Sequence, residues 1–293
     1  MLGRFELASL HQPLQPSTTE SHAARTVADL VGSVLDRVQL AAESSASADA
    51  ELPTGLAALD LAIGGLRGGD LIVLTGGPGS GKSSLLINLL RNIAVDASCP
   101  AAIVSLQSKG EHLLTRLASE LSGIPLRQLN SGRLSDEEWM RLIEAAGRLE
   151  VAPLLVQDQP VSGIDSIAAA AAFSAHKFGR CALVAIDHSQ LLQISPHASG
   201  KWADTLHSLC RELKLLARCH DCAVLLIEPA DVRLPLVELL SDADVIMELR
   251  RTGTAAQRGS WELCELRVLK QQHGPPCTVQ LQFAAATSRF RSV

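Results

Sequence analysis

Gly76, Gly81, Lys82 and Ser83 occupy the fixed positions of G-x-x-x-x-G-K-[ST] in the segment Gly76–Ser84, GGPGSGKSS. Each residue type has a task in that pattern. The small residues Gly76, Gly77, Pro78, Gly79, Ser80 and Gly81 let backbone N–H groups close around phosphate oxygens, and the start of the following helix adds positive potential. Lys82 reaches the outer phosphates, Ser83 offers its hydroxyl to Mg2+, and Ser84 continues the turn into the helix. The expected ligands are ATP and Mg2+. A plain Gly/Ser turn is the competing reading, but the loop sits where a phosphate loop must. The apolar run Leu71–Thr75 precedes it, and Leu85, Leu86, Leu89 and Leu90 follow at helical spacing.

The rest of the chain supplies elements to position that loop. Strand-sized apolar runs at Ala101–Leu106, Leu183–Ile186, Ala223–Ile227 and Val245–Leu249 alternate with helical patterns such as Trp202, Leu206, Leu209, Leu213 and Leu216. Such alternation predicts an α/β domain built on a mainly parallel twisted sheet flanked by helices. Glu262–Leu269 and Thr278–Phe283, around Gly274-Pro275-Pro276, read as a closing C-terminal hairpin. In an open parallel sheet, ligands gather at the carboxyl ends of strands, so the residue closing each run is a candidate. Asp187 is placed to hold Mg2+ through water opposite Ser83, or else to cap the next helix. Gln107 and Glu228 close two neighbouring runs. Glu111, one turn beyond Gln107, reads as a solvated helix residue.

Composition sets the outer limits. The 293 residues carry a formal net charge of −5, which argues against a surface that attracts nucleic acid everywhere and leaves room for a local basic channel. No apolar run approaches the ~18 residues of a membrane span, and Met1–Gln12 lacks a signal-peptide pattern, so the expected location is the cytoplasm, with no membrane partner. The seven cysteines are scattered and read as reduced thiols. Cys219 and Cys222 have metal-like spacing, but a structural zinc would need two further ligands, for which Cys264 and Cys277 are the candidates.

Ahead of the domain, residues 1–20 read as a flexible arm. Residues 21–51 combine an amphipathic helix, with Val27, Leu30, Val31, Val34, Leu35 and Val38 on its apolar positions, and the polar linker Ser44–Glu51. The helix either folds back on its own domain or docks on an adjacent subunit. Residues 52–293 form the ATPase-like domain.

The lead-in TGLAALDLAIGGLRGGDL resembles that of RecA-like ATPases of the RadA, KaiC and DnaB types. Ser105–Leu154 resembles the corresponding region of DnaB-type replicative helicases nearly throughout. Asp187-His188-Ser189-Gln190-Leu191 is similar to that family's D-Y-L-Q-L, and Asp242-Ala243-Asp244-Val245 to its D-A-D-V. Lys270-Gln271-Gln272-His273-Gly274-Pro275 and Thr287-Ser288-Arg289-Phe290 are similar to K-Q-R-N-G-P and T-R-F. The resemblance covers about Leu52–Arg291. It implies a RecA-like P-loop NTPase fold, ATP-dependent translocation on single-stranded DNA, and a homo-oligomer, in the family a hexamer. The helix before the linker looks like the one that docks on a neighbouring subunit, and the amino-terminal domain of full-length helicases has no counterpart here.

Departures from the family fall at the reaction centre. The catalytic glutamate of S-L-E is replaced by Gln107, which cannot accept a proton; general-base assistance is worth roughly 10²–10⁴-fold. The arginine finger of K-Q-R is replaced by Gln272, with Lys270 retained, and such a finger contributes roughly 10³–10⁵. Glu228 stands where the family has a glutamine sensing the γ-phosphate, and it is the alternative base. The loop that grips DNA is shortened to Val237–Ser241. Two functional readings follow: a DnaB-like helicase domain with weakened hydrolysis, or an impaired paralogue that binds ATP and joins or regulates a complete helicase. A RadA- or KaiC-like ATPase outside replication accounts for the loop and lead-in but less well for Ser105–Leu154.

Overall fold

The structure, a computed structural model, describes residues 52–106, 108–159, 163–187, 202–229, 241–252 and 261–293, together with Val27, Val31, Gly32, Leu35 and Gln39. The amino-terminal arm, the linker, Gln107, His188–Leu191 and residues 237–240 lie outside them. The chain divides into two compact units, Met1–Ser44 and Ser45–Val293. In the first, the five described residues are helical, and Val27, Val31 and Leu35, spaced four apart, are exposed.

In the second unit the described strands are β1 (Leu71–Gly76), β2 (Ala101–Ser105), β3 (Leu154–Gln157), β4 (Leu183–Asp187), β5 (Ala223–Pro229), β6 (Val245–Arg251), β7 (Glu262–Lys270), β8 (Cys277–Ala284) and β9 (Arg289–Ser292). They form one nine-stranded sheet in the order β3-β2-β4-β5-β1-β6-β7-β8-β9. β3 through β6 in that order are parallel, and β7, β8 and β9 continue the sheet antiparallel. The mainly parallel sheet and the closing hairpin are as the alternation predicts. β3 and β9, each four residues long, extend it at both edges.

Helices cover both faces. Ile72 and Leu74 of β1 pack with Leu85, Leu86, Leu89 and Leu90 of α2 (Lys82–Leu90), whereas Leu71 and Val73 pack with α6 (Ile164–Phe178) and α7 (Trp202–His220). The period-two alternation of a strand, with apolar residues at both parities, is what burial on two sides requires. By contrast β7 and β8 alternate, with Cys264, Leu266, Val268, Val279, Leu281 and Phe283 inward. Ahead of β1 lies α1 (Ala57–Ile63); between β2 and β3 lie α3 (Gly110–Ser122), α4 (Leu126–Ser131) and α5 (Asp136–Glu150). α5 begins on a capping box, in which Glu138 N donates to Ser135 Oγ and Ser135 N to Glu138 Oε2.

The four cysteines considered for a zinc site do not assemble. Cys222 is buried just before β5 while Cys219 is exposed on α7, and Cys264 and Cys277 sit on β7 and β8, three and four places along the sheet from β5. That separation rules out the four-cysteine zinc set.

Candidate functional site

The loop between β1 and α2 is shaped by close backbone approaches. A Cβ on Gly76 would lie 2.6 Å from the Leu249 carbonyl and 2.8 Å from Ser80 Oγ, so only glycine fits. Gly77, Pro78 and Gly79 are exposed, Ser80 is buried with its hydroxyl lacking a hydrogen-bond partner, and Gly81, at φ 103°, starts α2. A cradle that excludes a side chain and holds an unpaired buried hydroxyl fits a ligand rich in acceptor oxygens.

Lys82 turns its ammonium into this cradle, donating to the carbonyls of Gly76 (2.7 Å) and Gly77 (3.0 Å). Burial lowers its pKa, and the carboxylates of Asp187 and Glu228 oppose that shift. Ser83 Oγ donates to Asp187 Oδ1 at 3.2 Å. Asp187 ends β4 opposite Ser105, and Glu228, in β5, pairs in register with Thr75 of β1. Both carboxylates are buried. A hydroxyl and a carboxylate side by side at a helix N-terminus are hard oxygen donors suited to Mg2+. The loop residues 76–84, Asp187 and Glu228 converge at one end of the sheet.

Lys270 does not join them. It ends β7, whose partner in register is Ile246 near the start of β6, at the sheet end opposite the loop. Its ammonium donates to the Ser241 carbonyl at 2.6 Å. Gln272 also lies there, its amide donating to Asp244 Oδ1. Asp244 Oδ2 in turn accepts from Leu71 N (2.7 Å) and Lys214 Nζ (2.5 Å). Ser105 Oγ donates to the Ser108 carbonyl at 2.7 Å; Gln107 lies outside the described residues.

Three groups at the loop escaped the sequence. Arg251 ends β6, reaches the Gly79 carbonyl at 3.4 Å, pairs with Glu262, and holds its guanidinium 5.5 Å above the Phe283 ring. Phe283 stacks on Phe290 with centroids 4.5 Å apart, and the edge of Phe290 comes within 3.3 Å of where a Cβ on Gly81 would stand. This gives the loop a cationic wall at Arg251, backed by the buried Phe283–Phe290 pair. The strand-end rule, extended past Leu249, points to Arg251; nothing local points to Phe283. Arg116 of α3 is the third, donating from Nη2 to Ser84 Oγ at 2.9 Å.

Residues 51–229 match the family model of the DnaB-like helicase C-terminal domain. The chain is similar to the replicative DNA helicase DnaB of Geobacillus stearothermophilus, 25% identical over 285 residues, covering 92% of this chain and 62% of that one. A probable replicative DNA helicase of Trieres chinensis is 28% identical over 280 residues, covering 89% and 61%. The chain thus spans about three-fifths of the length of these curated relatives. Among solved structures, a DnaB-like replicative helicase studied for its interactions with primase superposes with a TM-score of 0.78 at 19% identity, covering 92% of this chain and 68% of that one. Among the described residues no helix is long and apolar enough to cross a membrane.

Proposed function

The chain belongs to the DnaB-like helicase C-terminal domain family, and from that premise we propose that it binds Mg·ATP at the loop 76–84 and works as a ring-forming, DNA-translocating ATPase with weakened hydrolysis. The observation that carries the reading is the convergence of Lys82, Ser83, Asp187 and Glu228 at the carboxyl ends of β1, β4 and β5. In this reading backbone N–H groups of Gly77 and of Gly79 to Ser84 bind phosphate oxygens, and Lys82 exchanges its carbonyl partners for the outer phosphates. Ser83 and Asp187 hold Mg2+, which would neutralise charge developing on the phosphates. Glu228, buried among these groups, is the carboxylate available to take a proton from water in place of Gln107. Arg251 stacks on the base.

Lys270 lies at the far sheet end, so its contribution is to a neighbouring subunit's nucleotide. The exposed apolar positions Val27, Val31 and Leu35 suit the groove of about 510 Å³ lined by Leu114, Ala118, Leu129, Leu142, Ala146 and Leu149, on a second copy of the chain. The test is ATP binding and turnover with and without single-stranded DNA, with particle size measured in nucleotide. Binding, DNA-stimulated turnover and a drop of about 10²–10³-fold in Lys82→Ala are expected. Absence of ATP binding sinks the proposal.

A second reading, an impaired paralogue that binds ATP and joins or regulates a complete helicase, is favoured by one observation. Gln272 is neutral and tied to Asp244 of its own chain. It predicts tight binding with negligible turnover and no DNA stimulation, and gain of turnover in Gln107→Glu combined with Gln272→Arg.

A further inference from the structure

α3 has two working faces. On one, Arg116 and Glu120, four residues apart, meet Ser84 and Asn88, four apart on α2: Arg116 Nη2 donates to Ser84 Oγ at 2.9 Å and Asn88 Nδ2 to Glu120 Oε1 at 3.4 Å. Arg91, just beyond α2, brings Nε within 3.4 Å of Glu120 Oε2. On the other, Leu114 and Ala118 form a wall of the apolar groove shared with α5.

The polar face is incompletely satisfied. Asn88 Oδ1, Arg91 Nε and Glu120 Oε2 are buried without a hydrogen-bond partner, the 3.4 Å ion-pair distance notwithstanding. Burial pushes the Glu120 carboxyl up to about 8, with Arg91 the first charge to oppose it. An interface of half-made polar pairs slides more cheaply than the leucine packing that fixes α2 to the sheet. The charge on Arg116 is disfavoured by burial and supported first by Asp187 and then by Glu120. Through its hydrogen bond to Ser84, Arg116 is one residue away from the Ser83–Asp187 pair.

We propose that Arg116 is a positioning residue that makes the groove between α3 and α5 respond to metal–nucleotide occupancy of the loop. The inference rests on the nucleotide reading above. With a divalent cation held by Ser83 and Asp187, the field that Asp187 offers Arg116 is cancelled and Glu120 becomes its main counter-charge. Arg116 then loosens from Ser84, α3 shifts along α2, and Leu114 and Ala118 move with it. Linkage makes the effect reciprocal: an apolar helix seated in the groove changes the affinity for Mg·nucleotide by the same factor.

Hydrogen exchange along residues 110–122 of the full chain, bound to a non-hydrolysable ATP analogue, tests this by comparing Mg2+ with EDTA. In the wild type Mg2+ is expected to change exchange of α3 amides by about fivefold or more. Arg116→Met and Ser84→Ala should each cut that response below about twofold, and the double variant should add nothing, as for one shared interaction. Thermal melting confirms that each variant folds, and Ser84→Ala decides alone if Arg116→Met does not. A merely structural Arg116 changes exchange equally with and without Mg2+. A full Mg2+ response in the folded variants, or none in a wild type that binds the analogue, overturns this inference alone; failure to bind the analogue overturns the nucleotide reading with it.

Discussion

The two ends of the sheet hold similar residue types in opposite conditions. At the carboxyl end, Lys82 rests on two backbone carbonyls and Ser80 keeps a buried hydroxyl unpaired. At the amino end, the Asp244 carboxylate accepts from Leu71 N, Lys214 and Gln272, and Lys214 also donates to the Gly69 carbonyl at 2.8 Å. Burial and then the charge of Asp244 push the Asp70 carboxyl up, while Lys214 opposes them. One end is polar and under-committed, the other polar and closed. Groups left with weak partners can exchange them for a ligand at small cost, whereas a satisfied cluster holds strands in place.

Removing the closed cluster's centre should have the largest effect on the fold. Asp244→Ala leaves the buried Leu71 N–H without its acceptor at the first residue of β1 and Lys214 with only the Gly69 carbonyl and Asp70. Losing such bonds to a buried charged group costs about 1.5–3 kcal/mol. Denaturant unfolding should show that loss, with ATP affinity recovered wherever the variant is still folded. If Asp244→Ala keeps full stability, the amino end is not the clamp described here.

At the open end the expected effect is smaller and ligand-specific. Arg251→Ala removes a cation from above Phe283 and should weaken ATP binding by about 1 kcal/mol, or about fivefold. Inorganic tripolyphosphate, which has no ring to stack, should bind as before. An equal loss for both ligands would mean that Arg251 serves the phosphates through Gly79 and that the wall does not recognise the base.

The open end was largely legible because its signals are local. The loop is a contiguous pattern, and Asp187 and Glu228 follow from one rule about strand ends once the alternation of apolar runs is read. The closed end was not, because its partners are distant in sequence. Gln272 meets Asp244 across 28 residues, and Leu71 meets it across 173. Those pairings depend on strand register and helix packing, which hydrophobic periodicity does not encode. Arg251 escaped for the same reason, since only strand register sets it over the core residue Phe283. β3 and β9 are too short for their periodicity to stand out.

Lys270 separates the two ends most sharply and with the least disturbance of the isolated chain. Its side chain makes one exposed hydrogen bond, to the Ser241 carbonyl, so Lys270→Ala should shift stability by no more than about 0.5 kcal/mol. ATP affinity should be unchanged, since β7 carries the residue away from its own loop. Turnover should fall only where copies assemble, because in the proposed assembly Lys270 serves a neighbouring subunit's nucleotide. Complementation reads this directly. Lys82→Ala chains keep Lys270 and lack a working loop; Lys270→Ala chains keep the loop and lack the lysine. A mixture restores some interfaces in which an intact loop faces an intact lysine, so it should turn over ATP faster than either variant alone. If the mixture gains nothing while the wild type turns over and assembles under the same conditions, Lys270 belongs to the closed cluster, and the amino end is structural throughout.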